Sequence, residues 1–302
     1  MKDIAIYGAG GFGREVACLI ERINKARETP IWNFIGFFDD GIPSTNDYPQ
    51  GPVLGDINVL NTWKTSLSIT VAIGSPKTLK SIVDNIANKK IDYPNLVDPS
   101  AVLYEIPQIG IGNIITANCV FTTNIKLGSY NIFNIGTIIP HDVIIGDFNV
   151  FNPYVNVSGN TFIGNRNLFG VKCTIIQGKT IGDNNNIGAG SVVLNSIDSC
   201  KSLLGNPAIN SILILKEYFR IVKKRKTSKM KKKVLDIINE IRAAKDLTAV
   251  EKLNSEDNLR DNLGLNSFDL AELTVKIEDE FDIDIFEDGL VNTIGEIYEK
   301  LA

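Results

Sequence analysis

The feature that most constrains this chain is a six-residue apolar period that runs unbroken from Val97 to Val193. Stepping by six meets Leu103, Ile109, Ile115, Phe121, Leu127, Phe133, Ile139, Ile145, Phe151, Val157, Ile163, Phe169, Ile175, Ile181 and Ile187 on the way. Glycine follows every third of these from Ile109 onward, at Gly110, Gly128, Gly146, Gly164 and Gly182, so a longer period of eighteen lies over the first. A period of six fits neither a helix face nor an alternating strand. It fits a coil with three short flat faces, each placing one side chain inside a prism, and three sixes close one turn of a parallel β-helix. The residues two positions before the stepping ones are mostly small, among them Cys119, Thr137, Thr161, Cys173 and Ser191, as a narrow interior requires. Asn, Gly and Asp fill much of the rest and tolerate the backbone angles of tight corners.

The 302 residues, 44% of them hydrophobic, predict two or three folded units. No apolar run approaches membrane-spanning length, and Met1 to Ile4 lead straight into a strand without a secretory leader, so a cytoplasmic location is expected. The four cysteines show no CxxC spacing, and Cys119 and Cys173 fall in the small inward slots, so neither a metal site nor a disulfide is expected. The net charge of -4 conceals an asymmetry: residues 251–302 carry fifteen acidic and four basic side chains, which leaves the rest of the chain positive. The acidic tail reads as a separate unit.

Before the coil, Ile4 to Tyr7 reads as a buried strand running into Gly8-Ala9-Gly10-Gly11-Phe12-Gly13 and then a helical pattern to about Lys25. This is GxGxxG in a strand-to-helix setting, where glycines allow close backbone approach and a helix N-terminus offers free N–H groups to phosphate. A second strand, Phe34 to Phe38, ends in Asp39 and Asp40, placed to accept hydrogen bonds from a ribose or base edge. A third, Ile69 to Ile73, ends at Gly74-Ser75-Pro76. About three βα elements are too few to cradle a dinucleotide, so a mononucleotide is the better fit, with NAD or a purely structural turn as the other readings.

The order GAGGFGRE, GFFDD, AIGSP and then a hexapeptide coil resembles the sugar acyltransferases of the NeuD/PglD type over roughly residues 1–209. The resemblance implies a Rossmann-like nucleotide-sugar domain at 1–96 and a left-handed β-helix acyltransferase at 97–209. It implies nucleotide contacts from Gly8, Gly10, Gly11, Gly13, Asp39, Asp40, Ala72, Ile73 and Gly74, and acylation of a sugar, often a UDP-linked amino sugar. It also implies a homotrimer with active sites between subunits and a role in polysaccharide building blocks.

His141, the only histidine in the chain, stands in Ile139-Pro140-His141-Asp142, two residues past an inward position and so off the core. Acyl transfer to an amine needs a base near neutral pH, and a carboxylate on the other ring nitrogen would fix its tautomer. The family's catalytic histidine opens an H-[DE]-x-x-I-G segment, matched by His141 to Gly146, with Asp142 as partner. The resemblance also assigns an oxyanion-binding N–H to Gly159. Family members often carry a second histidine nine residues on, which touches acetyl-CoA. Val150 stands there, which turns attention to a donor other than acetyl-CoA.

The coil ends near Gly205-Asn206-Pro207-Ala208, and Ile212 to Val222 suggests a helix in a linker over 210–228. Eight of the eleven residues 223–233 are basic. Such a run reads as a solvated helix or linker, as a dock for an acidic partner that could be the chain's own tail, or as a contact for nucleic acid or lipid. Val234, Ile237, Ile238 and Ile241 then repeat at helical spacing, and Leu263-Gly264-Leu265-Asn266-Ser267-Phe268 leads a second helix. Residues 229–302 resemble a four-helix acyl carrier protein, whose phosphopantetheine is attached to the serine of a G-x-D-S-L segment at a helix start. Ser267 matches that serine, with Asn266 in place of Asp and Phe268 in place of Leu. From these five residues alone, Ser267 also reads as a helix N-cap.

The expected whole is a sugar N-acyltransferase using 4'-phosphopantetheine on Ser267, with acyl-CoA or an acyl thioester as donor. A phosphopantetheinyl transferase and an acyl-loading enzyme are its expected partners, and neither nucleic acid nor a membrane span is. An acetyl-CoA enzyme with an accessory carrier and a non-catalytic trimeric carrier scaffold are the rival readings.

Overall fold

The computed structural model describes residues 1–285, 287, 289 and 291–301, with the backbone alone for residues 212–226. The chain divides into two units, Met1–Leu213 and Ile214–Ala302. The regions expected at 1–96 and 97–209 both lie in the first.

The first unit begins with a five-stranded parallel sheet: β1 (Lys2–Tyr7), β2 (Trp32–Phe38), β3 (Val53–Gly55), β4 (Leu67–Val71) and β5 (Ile91–Asp92), in the order β3-β2-β1-β4-β5. β4 starts and ends two residues before the expected third strand, and β3 and β5 are too short for a periodic signal, so the half-sheet is larger than its sequence suggested. Ile4, Ala5 and Ile6 are fully buried, as a strand covered on both faces must be. α1 (Gly11–Lys25) buries Val16, Leu19, Ile20 and Ile23, one helical stripe, and α2 (Ile57–Asn61) and α3 (Pro76–Asn85) follow in their crossovers.

From Leu96 the chain winds as the expected left-handed parallel β-helix of two- and three-residue strands in three sheets. Partners lie eighteen residues apart, as in Val120↔Ile138 and Ile132↔Val150. The inward row is buried from Ile115 onward, and Phe133, Phe151 and Phe169 stack at 4.9 and 4.5 Å between centroids. The small slots hold as expected. Burial pushes the Cys119 thiol up to about 11 and the Cys173 thiol up to about 12, which suits inert filler.

Two features of the coil were not apparent from the apolar period. Every third small slot is an asparagine, Asn95, Asn113, Asn131, Asn149, Asn167 and Asn185, whose carboxamide oxygens accept the backbone N–H one turn on at 2.8 to 2.9 Å. In four of them the carboxamide also donates across the corner, to the carbonyls of Gly110, Gly128, Gly146 and Gly164. The repeating glycines are needed for contact between turns rather than for a special φ. A Cβ on Gly128 would lie 2.6 Å from the Gly146 carbonyl oxygen, and one on Gly146 would lie 2.8 Å from that of Gly164. The left-handed corner angles fall elsewhere, on rows such as Asn124, Asp142, Asn160 and Gly178.

The outward residues Leu96, Ile114, Ile132 and Val150 join the core of the α/β sheet, so that sheet covers one face of the coil. Arg22 of α1 clamps buried Asp98 at the coil entrance through two bonds of 2.7 and 2.9 Å. Arg22, with Ser100 assisting, holds the Asp98 carboxyl down at about 2 against the opposing effect of burial.

α4 (Ser211–Ala243), whose residues from Ile214 onward belong to the second unit, is continuous, so the expected linker helix and the first carrier helix are one element. α5 (Ser267–Phe281) and α6 (Ile294–Lys300) pack on it around Val234, Ile238, Leu273, Ile277, Ile294 and Ile297. Among the described residues this unit has three helices, α5 ending at a left-handed Asp282; the stretch between α5 and α6, where the expected fourth helix would fall, includes residues 286, 288 and 290, which lie outside the described residues. Lys233 pairs with Glu280, and Lys231 lies over the Tyr298 ring, so this part of the basic run meets the acidic tail. The side chains of Lys223 to Lys226 lie outside the described residues. No described helix is long and apolar enough to cross a membrane.

Two outcomes follow for stability. Asn149→Leu removes donors and acceptors from a fully buried ladder and leaves the Asn167 N–H and Gly164 carbonyl unpaired, costing about 2–4 kcal/mol in thermal or denaturant unfolding. Asp98 has a depressed folded pKa, so its contribution is complete above the unfolded value of about 4 and is lost as pH falls toward 2. Asp98→Asn should therefore cost about 2 kcal/mol at pH 7. Its melting curves should converge with those of the parent between about pH 4 and pH 2.

Candidate active site

His141 and Asp142 occupy the corner between the strands Ile138–Ile139 and Ile144–Ile145. Asp142 adopts the left-handed angle of its row, with φ 60°. Turning the chain there brings its carboxylate back toward the preceding ring, and His141 Nδ1 lies 2.8 Å from Asp142 Oδ2. The other oxygen accepts from the Asn124 carboxamide, one turn below, at 2.6 Å. His141 and then Asn124 hold the Asp142 carboxyl below the ordinary carboxylate range. An ionised Asp142 can only accept, so Nδ1 is the donor of this pair, and in the neutral imidazole the lone pair then lies on Nε2.

The ring lies against Gly159, one turn above. A Cβ there would sit 2.5 Å from His141 Cε1 and 2.7 Å from Nε2, so the position admits no side chain while the imidazole stays in place. The Gly159 carbonyl accepts from Gly178 N–H at 3.0 Å, and among the described residues no acceptor bonds the Gly159 N–H. The structure thus brings His141 and Asp142, both about half exposed, together on one edge of the coil over Gly159, which is itself buried. Ile138, Ile144 and Phe162 flank it with exposed apolar surface. Asn124 was not singled out from the sequence, although it stands one eighteen-residue turn before Asp142.

Val150 corrects an inference from the sequence. It is 2% exposed and packed with Ile114 and Ile132 in the α/β core, on a face that does not carry His141. Its identity is set by packing against that core and gives no information about the acyl donor.

The second group of candidates gathers at the C-terminal ends of β1, β2 and β4. The sheet order reverses between β1 and β4, so the loops after them flank the crevice where open α/β sheets take ligands. The glycines divide by role. Gly8 has φ 105° and a Cβ would strike the Ala72 carbonyl, while a Cβ on Gly13 would lie 1.8 Å from the Gly8 oxygen. Gly10, Gly11 and Gly74 face open space. α1 has no side-chain cap and no acid in its first turn, which leaves its N–H groups for an anion.

The two aspartates are largely engaged within the fold. Asp39 accepts from Ala9 N–H and Gly41 N–H at 2.8 Å each, so both oxygens shape the loop. Asp40 Oδ1 accepts from Tyr7 Oη at 2.7 Å and Ile57 N–H at 3.1 Å, and burial followed by the Asp40 bond pushes the Tyr7 phenol up. A hollow of about 400 Å³ beside them is lined by Ser44, Gly55, Asp56 and Val59. Ala72 is buried and donates its N–H to the Tyr7 carbonyl, with half-buried Ile73 beside it. Tyr48 Oη bonds the Ala9 carbonyl at 2.8 Å and receives Arg14 at 3.2 Å. This tie lies in an irregular loop and had no sequence signal.

Ser267 is the first residue of α5 and is exposed. The N-cap is Asn266, whose oxygen accepts from Phe268 N–H and Asp269 N–H at 2.9 and 3.1 Å, while Asp269 bonds back to Asn266 N–H. The reading of Ser267 as the cap is therefore wrong: Asn266 fills that role, and no described residue bonds the Ser267 hydroxyl. Asp269 is nearly buried; burial raises its pKa, but Lys245 and the Asn266 N–H outweigh it and hold the carboxyl low. The helix start is fixed without using the serine, so a group esterified to Ser267 Oγ would meet no obstacle from the cap.

Residues 3–86 match the PglD N-terminal domain, and residues 234–301 match the phosphopantetheine attachment site family. Among solved structures, the acetyltransferase domain of PglB from Neisseria gonorrhoeae FA1090, in complex with acetyl coenzyme A, is 29% identical. The match covers 69% of this chain and 98% of that one, with a TM-score of 0.62. WeeI from Acinetobacter baumannii AYE is 27% identical over 70% of this chain and 100% of that one, with a TM-score of 0.63. A variant of perosamine N-acetyltransferase from Caulobacter crescentus, in complex with CoA and GDP-perosamine, is 25% identical over 70% and 97%, with a TM-score of 0.61. The chain thus has the architecture of a NeuD/PglD-type sugar acyltransferase fused to a phosphopantetheine-bearing carrier domain.

Proposed function

We propose that this protein transfers an acyl group from a thioester to the amino group of a nucleotide-linked sugar, with His141 as general base. The observation that carries this reading is the hydrogen-bonded His141–Asp142 pair on an open edge, seated directly on Gly159. The similarity to proteins whose descriptions name acetyltransfer and perosamine N-acetyltransfer supports acylation at nitrogen.

In this mechanism His141 Nε2 takes the proton that the attacking amine loses, and Asp142 steadies the imidazolium through Nδ1–H. Gly159 N–H donates to the carbonyl oxygen as charge collects on it. When the carbon–sulfur bond breaks, His141 returns the proton to the departing sulfur, so the base is regenerated. The acceptor nucleotide, most simply a UDP-amino sugar, would place its phosphates at the N-terminus of α1 beside Gly10 and Gly11, near Gly74. Asp39 and Asp40 would hold the loop that receives it.

Phosphopantetheine on Ser267 would supply the terminal thiol that carries the acyl group. We place the donor there because the carrier is in the same polypeptide and tethering raises its effective concentration. A second reading, free acetyl-CoA as donor, is favoured by the acetyl coenzyme A complex of the Neisseria relative. The acting form is read as a homotrimer, checked by light scattering of the full chain.

His141→Ala should lower kcat by about 10²- to 10⁴-fold. Gly159→Ala should lower it by at least about tenfold through displacement of the ring, with little change in melting temperature. Activity of His141→Ala equal to that of the parent would overturn the catalytic assignment and favour a scaffold. The donor is decided by intact mass of the protein from its native host beside Ser267→Ala. A serine-dependent increment of phosphopantetheine plus an acyl group, with loss of turnover in Ser267→Ala, supports the carrier as donor. Full turnover of acetyl-CoA by Ser267→Ala supports the second reading.

A further inference from the structure

The hydrogen bonds around the catalytic corner continue one turn below it. The Asn124 carboxamide donates to Asp142 Oδ1 at 2.6 Å, and Asp142 Oδ2 lies 2.8 Å from His141 Nδ1, so one carboxylate is held from both sides. Asn124 is itself fixed, because its backbone N–H donates to Glu105 Oε2 at 2.9 Å and its φ of 53° places it in the left-handed corner row. Asp142 is about half exposed, and a solvated carboxylate with a single partner has rotamers open to it that leave the imidazole. The bond from Asn124, itself an exposed residue, narrows that freedom. It also favours the ionised carboxylate, the form that can only accept from Nδ1–H.

We infer that Asn124 is a positioning residue: it orients Asp142, which in turn keeps His141 in the tautomer with Nε2 free for the incoming amine. Asn124 touches neither the imidazole nor the reacting atoms and acts through Asp142 alone. The inference rests on His141 being the base.

The single histidine makes this testable without a known substrate, because in the full chain labelled with ¹⁵N-histidine the ring nitrogens come from one residue. Two replacements respect the backbone. Asn124→Gly accepts the left-handed angle and removes the carboxamide, and Asn124→Asp is nearly isosteric and exchanges the donor for an acceptor. In the parent above neutral pH, the ring shifts should report a protonated Nδ1 and a bare Nε2. In both variants they should move toward a mixture of tautomers, with melting temperatures close to that of the parent. Turnover of acetyl-CoA with a UDP-linked amino sugar should fall about tenfold in kcat with KM little changed, the loss of one hydrogen bond to a charged group.

Ring shifts identical to those of the parent in both variants would overturn the role of Asn124. Asp142→Asn separates this from failure of the base itself: it should disturb the ring tautomer whether or not Asn124 matters. Full turnover by His141→Ala removes the base reading, while the tautomer result still tells whether Asn124 orients the pair.

Discussion

The structure depends on one repeated distance, the spacing between successive turns of the coil. Parallel strands sit about 4.8 Å apart, and every turn must return to the same corner after eighteen residues to keep that spacing. Two rows set the return. The asparagine ladder ties each turn to the next by bonds of 2.8 to 2.9 Å inside the prism, where a lost partner cannot be replaced by water. At the neighbouring corner glycines let the turns close, since a methyl group there would strike the carbonyl of the next turn. Apolar stacking, as in Phe133, Phe151 and Phe169, fills the interior but tolerates sliding. The polar ladder does not, and it fixes register.

Register is also what builds the candidate active site. Asn124 and Asp142 are one turn apart in the same corner row, and His141 and Gly159 are one turn apart in the row before it. Each pair meets because the coil returns in phase. A single-residue slip would move Asn124 away from Asp142 and set a side chain against the imidazole in place of Gly159. The chemistry therefore needs no special loop. It uses corner positions that the fold holds at fixed spacing and that carry no core duty.

Much of this was legible in the sequence, for definite reasons. The inward row was visible because Val97 to Val193 repeats without interruption, and His141 was legible as standing off that row. Asn149 and its equivalents were not, since a buried polar ladder looks the same as corner asparagines until burial is known. The roles of the glycines were only partly legible. Gly110 to Gly182 have the spacing of corners yet serve close approach, and within GxGxxG only Gly8 and Gly13 are demanded by packing. β3 and β5 escaped because three- and two-residue strands have no period. Val150 misled because a family position was read without its face. Burial shows that the residue answers to the core of the neighbouring sheet.

The exposure of the candidate pair bears on how it could work. A hydrogen bond between an imidazole and a carboxylate that are both half exposed is weakened by competing water, and its electrostatic effect on the ring is screened. The same bond strengthens when water is excluded. Ile138, Ile144 and Phe162, on the strands next to this corner, expose apolar surface, so whatever covers this edge gains hydrophobic free energy by doing so. Under the proposed function, substrate or a second copy that buries these side chains would also lower the dielectric around His141 and Asp142. The bond from Asn124 would count for most in that state, because a carboxylate removed from water needs every donor it has.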